Sequence, residues 1–147
     1  MFQQAEQAFG RRKLGSENLA QAEKQLSNLA CLCKEQPAGL HAKEQLRVVQ
    51  EELANHSLSI ALFYLGKFYD GRGGQAGAVS RLKHIIERYP EYSKLDQALF
   101  LLGEINMKAR NFDEAAGYYR QLISAYPASQ YTGEASLQLN AIGILKN

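Results

Sequence analysis

One short segment carries the residue types of a nucleotide-binding loop. Residues 71–76 read GRGGQA and match the G-x-G-x-x-A fingerprint of dinucleotide-binding folds. In those folds the glycines let the backbone approach a pyrophosphate, and a β-strand precedes the motif. Here the preceding residues have the pattern of a long helix, so the segment is predicted to be a turn between helices. No cofactor is expected.

Metal or thiol chemistry would require histidines and cysteines close to one another. His41, His56 and His84 are dispersed along the chain, and neither HExxH nor CxxC occurs in the sequence. Cys31 and Cys33 stand two residues apart in a predicted helix, where side chains at that spacing do not face each other. The sequence therefore predicts no metal site and favours two ordinary helix residues over a disulfide.

Paired carboxylates could support acid–base catalysis, and two such pairs occur, Glu51-Glu52 and Asp113-Glu114. Both fall on predicted helix surfaces or near a helix N-terminus, where solvation and the helix dipole account for them. No serine nucleophile elbow and no Cys/His constellation is recognisable. We therefore predict no catalytic residues, and the protein is not expected to be an enzyme.

The composition is that of a soluble globular protein the size of one domain. The chain has 147 residues, of which 46% are hydrophobic and 22% are charged. The net charge of +2 is small and the basic residues are scattered, which argues against nucleic acid as a partner. No run approaches about 18 consecutive apolar residues, so no membrane-spanning helix is predicted.

The elements that position these residues are governed by an internal repeat of 37 residues. Residues 85–99, IIERYPEYSKLDQAL, align at this offset with residues 122–136, LISAYPASQYTGEAS. The alignment pairs Tyr89 with Tyr126, Pro90 with Pro127, and Ala98 with Ala135. A fixed period of this size is typical of helical repeat proteins.

The same offset superimposes two predicted helical hairpins. Large residues recur at three- and four-residue steps, which predicts one apolar stripe for each helix. The aligned pairs are Leu62/Leu99, Leu65/Leu102, Leu82/Tyr119, Ile85/Leu122 and Ile86/Ile123. Small residues align at Gly66/Gly103 and Ala78/Ala115, where two antiparallel helices would have to approach closely. No segment shows the two-residue alternation of a strand, so the predicted fold class is all-α.

Helix boundaries follow from this periodicity and from residues that break helices. Helices are predicted near residues 2–12, 17–36, 39–70, 75–89, 94–109, 112–126 and 131–145. Proline does not continue a helix comfortably, so Pro37, Pro90 and Pro127 are each expected to follow a helix end. Ser93, with Asp96 three residues later, and Asn111, with Glu114, are expected to begin the helices after them.

The repeat resembles the tetratricopeptide repeat. Gly66, Ala78 and Pro90 have its spacing, as do Gly103, Ala115 and Pro127, although the usual period is about 34 residues. The resemblance implies a solenoid of α-helical hairpins, here with one long fused helix over residues 39–70. The domain would cover residues 1–147 as the C-terminal part of a longer protein, with repeat cores at 59–92 and 96–129 and a capping helix at 131–145.

The long helix and the segment after it are similar to those of the outer-membrane assembly lipoprotein BamD family. The similarity rests on the aromatic pair Phe63-Tyr64, the glycine-bearing turn at residues 71–74, and an A-x-x-R-x-x-x-(I/V)-(I/L)-x-x-Y-P run from Ala78 to Pro90. It extends from about residue 20 to residue 127. Members of this family usually carry a lipidated N-terminal cysteine and two earlier repeats, and this sequence shows neither.

The resemblance implies a non-enzymatic scaffold at the periplasmic face of the outer membrane, held there by a lipid anchor that is absent from this chain. Its partners would be POTRA domains of the barrel-forming subunit, accessory lipoproteins, and unfolded outer-membrane proteins, the last engaged largely through the N-terminal repeats. The alternative is a generic tetratricopeptide adaptor that binds a partner peptide. The periplasmic coordinator associated with the Tol-Pal system is one such protein, and a cytoplasmic location stays open.

The expected docking surface comprises the exposed faces of the last two hairpins and the final helix. Its expected partner-binding residues are Arg81, Lys108, Arg110, Tyr118 and Arg120. Tyr92, Tyr118 and Tyr131 fall off the core positions of the repeat and are candidates for partner contacts, because interfaces favour tyrosine. In the final helix, the apolar residues Leu137, Leu139, Ile142 and Leu145 are expected to pack as a cap on the preceding hairpin.

Overall fold

The computed structural model describes residues 15–67 and 72–146. These residues form six α-helices and no β-strand, which confirms the all-α fold. The helices are α1 (Ser16–Leu32), α2 (Pro37–Lys67), α3 (Arg72–Arg88), α4 (Leu95–Lys108), α5 (Phe112–Ala125) and α6 (Thr132–Lys146). The helix predicted near residues 2–12 lies outside the described residues. Because α3 begins at Arg72, most of the segment predicted as a glycine turn belongs to a helix.

The chain divides into two compact units, Met1–His56 and Ser57–Asn147. The boundary lies within α2, which is one continuous helix of 31 residues. At 1.5 Å per residue it is about 46 Å long. The long fused helix predicted from the sequence is therefore present.

In the first unit, α1 and the first part of α2 bury small and aliphatic side chains. These recur at helical spacing as Ala22, Leu26 and Ala30 in α1, and as Ala42, Val49, Leu53 and Ala54 in α2. A hydrogen bond of 3.0 Å from Gln50 Nε2 to Glu23 Oε1 joins the two helices. It satisfies a carboxylate that is itself buried.

The turn between α1 and α2 differs from the prediction. α1 ends at Leu32, with Cys33 as its C-cap, so Cys33 is not inside the helix. Pro37 follows the turn and is also the first residue of α2, a position where the missing N–H of proline leaves no intrahelical bond unmade. The Gln36 carbonyl oxygen accepts hydrogen bonds from the N–H groups of Gly39 and Leu40, at 2.9 and 3.2 Å.

In the second unit, the 37-residue repeat is visible in the backbone hydrogen bonds. The N–H groups of Tyr89, Tyr92, Leu95 and Ala98 donate to the carbonyl oxygens of Ile85, Tyr89, Tyr92 and Lys94 respectively. The equivalent N–H groups, of Tyr126, Ser129, Thr132 and Ala135, donate to Leu122, Tyr126, Ser129 and Tyr131. The two linkers therefore share one backbone conformation, although their side chains differ.

The second helices of the two hairpins, α3 and α5, bury the predicted stripe. Leu82 and Ile85 on α3, and Tyr119 and Leu122 on α5, are fully buried. The small residues Ala78 and Ala115 are buried as well. The register read from the sequence is therefore correct for these helices.

The first helices of the two hairpins differ, because Leu62 on α2 is 41% exposed whereas its equivalent on α4, Leu99, is buried. A Cβ atom added at Gly66 would meet no described atom within 4 Å, so the close approach predicted there is wrong. Tyr64 makes the close contact instead, since a Cβ at Gly77 on α3 would lie 3.3 Å from its ring. Residues two positions apart point about 200° apart around a helix, so this contact turns Gly66 away.

The starts of α4 and α5 differ from the predicted capping pattern. Lys94 is the N-cap of α4 in place of Ser93, and Asn111 is the N-cap of α5, but neither makes a side-chain capping hydrogen bond. Asn111 Nδ2 instead donates to Asn106 Oδ1 at 3.4 Å. The Asp96 carboxylate accepts a hydrogen bond of 2.5 Å from Ser129 Oγ, so the next linker engages it.

Candidate docking surface

One fully buried tyrosine packs between α4 and α5. The Tyr119 ring is fully buried, and a Cβ atom at Gly103 would lie 2.7 Å from its Cζ atom. Its hydroxyl donates a 2.7 Å hydrogen bond to Glu104 Oε1. Burial raises the pKa of Tyr119 well above its ordinary value, and the hydrogen bond and negative charge of Glu104 raise it further. The glycine predicted to allow close approach therefore does so on α4.

Replacing Tyr119 with Phe is expected to remove this hydrogen bond and to lower the free energy of unfolding by about 1 kcal/mol at neutral pH. The folded state binds the Tyr119 proton more tightly than the unfolded chain does. Stability therefore falls as the pH rises above about 10, by up to about 1.4 kcal/mol per pH unit. Urea denaturation at pH 8 and pH 10.5 should show a smaller alkaline loss for Tyr119→Phe. Equal losses would contradict the assignment.

The turn between α4 and α5 is closed by a residue with left-handed backbone conformation. Arg110 has φ 62°. Its N–H donates to the Met107 carbonyl oxygen at 3.1 Å, and the N–H of Asn111 donates to that of Asn106 at 2.9 Å. These two bonds make up a Schellman motif with Arg110 at the position that glycine usually occupies. The geometry presents Arg110 as an exposed side chain on a fixed backbone.

Replacing Arg110 with Gly is expected to raise the free energy of unfolding by about 0.5–1 kcal/mol, because only glycine adopts this φ without steric cost. Lys108→Gly is the matched control, since Lys108 lies in α4 and glycine lowers stability inside a helix. Thermal denaturation of both variants checks the pair. A loss of stability in Arg110→Gly would contradict this expectation. It would show that the Arg110 side chain stabilises the fold by more than the left-handed backbone conformation destabilises it.

The linker between α5 and α6 is tied to the first turn of α4. Ser129 Oγ donates to Asp96 Oδ2 and accepts from the N–H of Tyr131 at 3.2 Å. The Tyr131 ring stacks on Phe100 of α4, with 4.9 Å between centroids and 20° between planes. Thr132 Oγ1 donates to the Tyr126 carbonyl oxygen at 3.0 Å. These contacts fix the start of α6 relative to α4.

The five expected partner-binding residues do not form one cluster. Lys108 and Arg110 lie at one end of the α4–α5 hairpin, and both are exposed. Arg120 is exposed eight residues into α5, about 12 Å along its axis from Phe112. Arg81 is exposed on α3. Tyr118 is partly buried and packs against the core of α4, α5 and α6, so much of it is unavailable to a partner.

The prediction that three tyrosines fall off the core was wrong for Tyr92. Its side chain is 4% exposed, in the turn between α3 and α4. Tyr131 is partly buried against the same core as Tyr118. Tyr92 and Ser129 are equivalent positions of the 37-residue repeat. The two linkers share one backbone conformation, which turns the side chain at this position inward.

Among the described residues, the final helix α6 packs against the preceding hairpin through only one of its sides. Ile142 is buried and Leu139 packs against the core as predicted. Leu137 and Leu145, however, are 64% and 62% exposed, so their predicted packing is wrong. Ile144, which the sequence reasoning passed over, is 77% exposed. The 37-residue repeat could have indicated this exposure, because it aligns α6 with α4. Helix α4 is covered by other helices on two sides, whereas α6 is covered on one side by the described residues.

The described residues hold no group of three or more His, Cys, Asp or Glu side chains that could ligate a metal ion. Cys31 is an exposed free thiol and Cys33 a partly exposed one. Within the same part of the chain, no helix is long and apolar enough to cross a bilayer.

Comparison with protein families identifies the family of the chain. The family model of the YfiO outer membrane lipoproteins matches residues 1–116, most of the chain. The chain belongs to this family. Comparison with curated proteins gave no match.

Membership in the YfiO family places the chain among outer membrane lipoproteins, a scaffold kind of protein. The matched residues include Arg81, Lys108 and Arg110 and end within α5. Arg120 and all of α6 lie beyond the match. The YfiO family therefore supports the resemblance found in the sequence over residues 1–116.

Proposed function

We propose that the protein is a non-enzymatic docking scaffold of the outer-membrane β-barrel assembly machinery, in the role of the BamD component. The observation that carries the proposal is the match to the YfiO outer membrane lipoproteins over residues 1–116. Stacked helical hairpins supply rigid surfaces for other proteins and little chemistry of their own. The proposed partners are the membrane-proximal POTRA domain of the barrel-forming subunit and the accessory lipoproteins.

The proposed docking contacts lie on the second unit, at the turn between α4 and α5 and along α5. Lys108, Arg110 and Arg120 are exposed there, and Arg110 stands on a backbone fixed by the Schellman motif. Arg81 is exposed separately, on α3. Exposed charges of this kind steer association and set its salt dependence. An acidic patch on the partner is therefore expected.

The double variant Arg110→Glu/Arg120→Glu is expected to weaken binding to the purified POTRA domain by about tenfold, equivalent to about 1.4 kcal/mol. Lys43→Glu/Arg47→Glu is the matched control, because it makes the same charge change at exposed positions of α2 in the first unit. Both variants should keep the helical circular dichroism and melting temperature of the parent. Calorimetry at two salt concentrations measures the difference.

Equal weakening by both double variants would contradict this surface, because the effect would then come from net charge alone. A folded chain with no affinity for the POTRA domain would favour the generic adaptor, such as a coordinator associated with the Tol-Pal system. The Y-P-x-S segment at Tyr126 to Ser129 is the feature that this alternative shares.

A further inference from the structure

Helix α6 is apolar on two opposite sides. Ala135 and Ile142 are buried in the core that α6 shares with α4 and α5. On the other side, Leu137, Asn140 and Ile144 are exposed at steps of three and four residues, with Ala141 half-buried between them. Large apolar side chains that are exposed on one face of a helix mark a site for contact with another element. The described residues cover only one side of α6.

The repeat register identifies what the exposed face corresponds to. Shifted by 37 residues, Leu137, Asn140, Ala141 and Ile144 align with Phe100, Gly103, Glu104 and Met107 of α4. The backbone hydrogen bonds that start α4 and α6 obey the same shift. The exposed face of α6 is therefore the equivalent of a defined face of α4.

On α4 that face is covered by α5. The centroid of the Tyr119 ring lies 6.2 Å from that of Phe100, and the ring fills the space over Gly103. The Tyr119 hydroxyl bonds to Glu104, and Met107 packs against the core that contains Tyr119. The short turn Ala109–Asn111 makes α5 antiparallel to α4. An antiparallel helix is thus the element that fits this face.

We propose that the face of α6 formed by Leu137, Asn140, Ala141 and Ile144 binds an amphipathic helix of a partner protein, antiparallel to α6, as α5 covers α4. This inference deepens the proposed docking role and rests on it for the statement that the helix belongs to a separate protein. The proposed function names the partner proteins from the family resemblance. The face of α6 adds which structural element of a partner binds there, an amphipathic helix.

A second copy of this chain fits the face less well than a partner does. A stable interface buries about 1,200–2,000 Å² in total. A two-fold pairing through α6 would draw on one helix from each copy and on only three large exposed side chains of each, Leu137, Ile144 and Leu145. A partner that also contacts the neighbouring hairpins reaches that area more readily.

The face also defines the sequence of the bound helix. Asn140 replaces Gly103, so an aromatic ring cannot come as close there as Tyr119 does on α4. A small hydrogen-bonding side chain such as Ser fits opposite Asn140, because it can exchange a hydrogen bond with the amide. Apolar side chains one turn before and after it would pack on Leu137 and Ile144.

The chain itself supplies a probe, a peptide copying residues 111–126 with Tyr119→Ser, which contains the sequence of α5. The labelled peptide is titrated with the full chain and binding is followed by fluorescence anisotropy. Saturable binding is expected, weakened at least tenfold by Leu137→Glu/Ile144→Glu. Leu32→Glu in the first unit, at a residue that is 79% exposed, is the control and should leave peptide binding unchanged.

The absence of peptide binding, or binding that resists Leu137→Glu/Ile144→Glu, would overturn the proposal. Sedimentation velocity tests whether a second copy of the chain binds the face instead. A dimer that is abolished by Leu137→Glu/Ile144→Glu would assign the face to a second copy and would overturn the proposal of a partner helix. The proposed function fails separately, since a chain that binds the peptide but not the POTRA domain would keep the helix-binding face and lose that partner.

Discussion

Replacing Gly103 with Ala is expected to lower the free energy of unfolding by about 1–3 kcal/mol, the usual cost of overpacking a core. The added methyl group would overlap the Tyr119 ring, with 2.7 Å to Cζ and 2.8 Å to Cδ1. The ring has little freedom to move, because it is fully buried and its hydroxyl is bonded to Glu104. α4 and α5 must separate to admit the methyl group, so the loss should appear in urea denaturation.

Gly117→Ala is the matched control, on the neighbouring helix α5. Gly117 is exposed, and a Cβ atom there would meet no described atom within 4 Å. Alanine should therefore raise stability by up to about 1 kcal/mol through helix propensity. Two identical substitutions thus have opposite expected signs. A Gly103→Ala variant as stable as Gly117→Ala would show that the hairpin does not depend on the close approach.

Gly39→Ala is expected to have a larger effect, a loss of about 3 kcal/mol or more, at the upper end of overpacking costs. A Cβ atom at Gly39 would overlap the Cys33 carbonyl oxygen and lie 2.5 Å from the carbonyl carbon. Backbone atoms cannot rotate away as a side chain can, so the turn between α1 and α2 would have to open. Denaturation together with hydrogen exchange should show the loss, with protection reduced first in the first unit.

Gly66→Ala is the control in the same helix, α2. Gly66 is exposed, and no described atom lies within 4 Å of an added Cβ. Alanine is expected to be neutral or stabilising there. If Gly39→Ala unfolded at the same denaturant concentration as Gly66→Ala, the contact of Gly39 with Cys33 would have no energetic role.

The helices were predictable because their signals are local. The apolar stripe through Leu82, Ile85, Tyr119 and Leu122 follows from spacing alone, and these residues are buried. Pro90 and Pro127 follow the ends of α3 and α5 as expected. The absence of a breaker after His41 predicted one long helix, and α2 is continuous to Lys67. Each of these features depends only on neighbours in the sequence.

Close approaches between helices were predictable only in part, because they depend on which side chain of the neighbouring helix faces the glycine. Gly66 and Gly103 occupy equivalent positions, yet only Gly103 lies under a ring. The contact at Gly39 involves the backbone of a turn, which has no signature in side-chain spacing. Asp96 was predicted to belong to a helix cap. Its Oδ1 atom accepts from the N–H of Gln97, and its Oδ2 atom accepts from Ser129, 33 residues away. Such contacts become visible only in three dimensions.

The candidate surface was predicted in part for the same reason. Exposure of Arg110 and Arg120 follows from charge, whereas the partial burial of Tyr118 depends on how α5 meets its neighbours. The exposed face of α6 was not predicted, because its apolar residues also match the pattern expected of a buried capping helix. Only the packing of α4 under α5 shows which of the two apolar sides of α6 has no cover among the described residues.

The proposed docking of this chain to the barrel-assembly machinery is tested most directly by calorimetry. The purified chain is titrated with the membrane-proximal POTRA domain at moderate salt, after circular dichroism has confirmed that both are folded. We expect saturable binding with a dissociation constant in the micromolar range or tighter, about −8 kcal/mol or more favourable. No heat of binding from a folded, helical chain would contradict the claim.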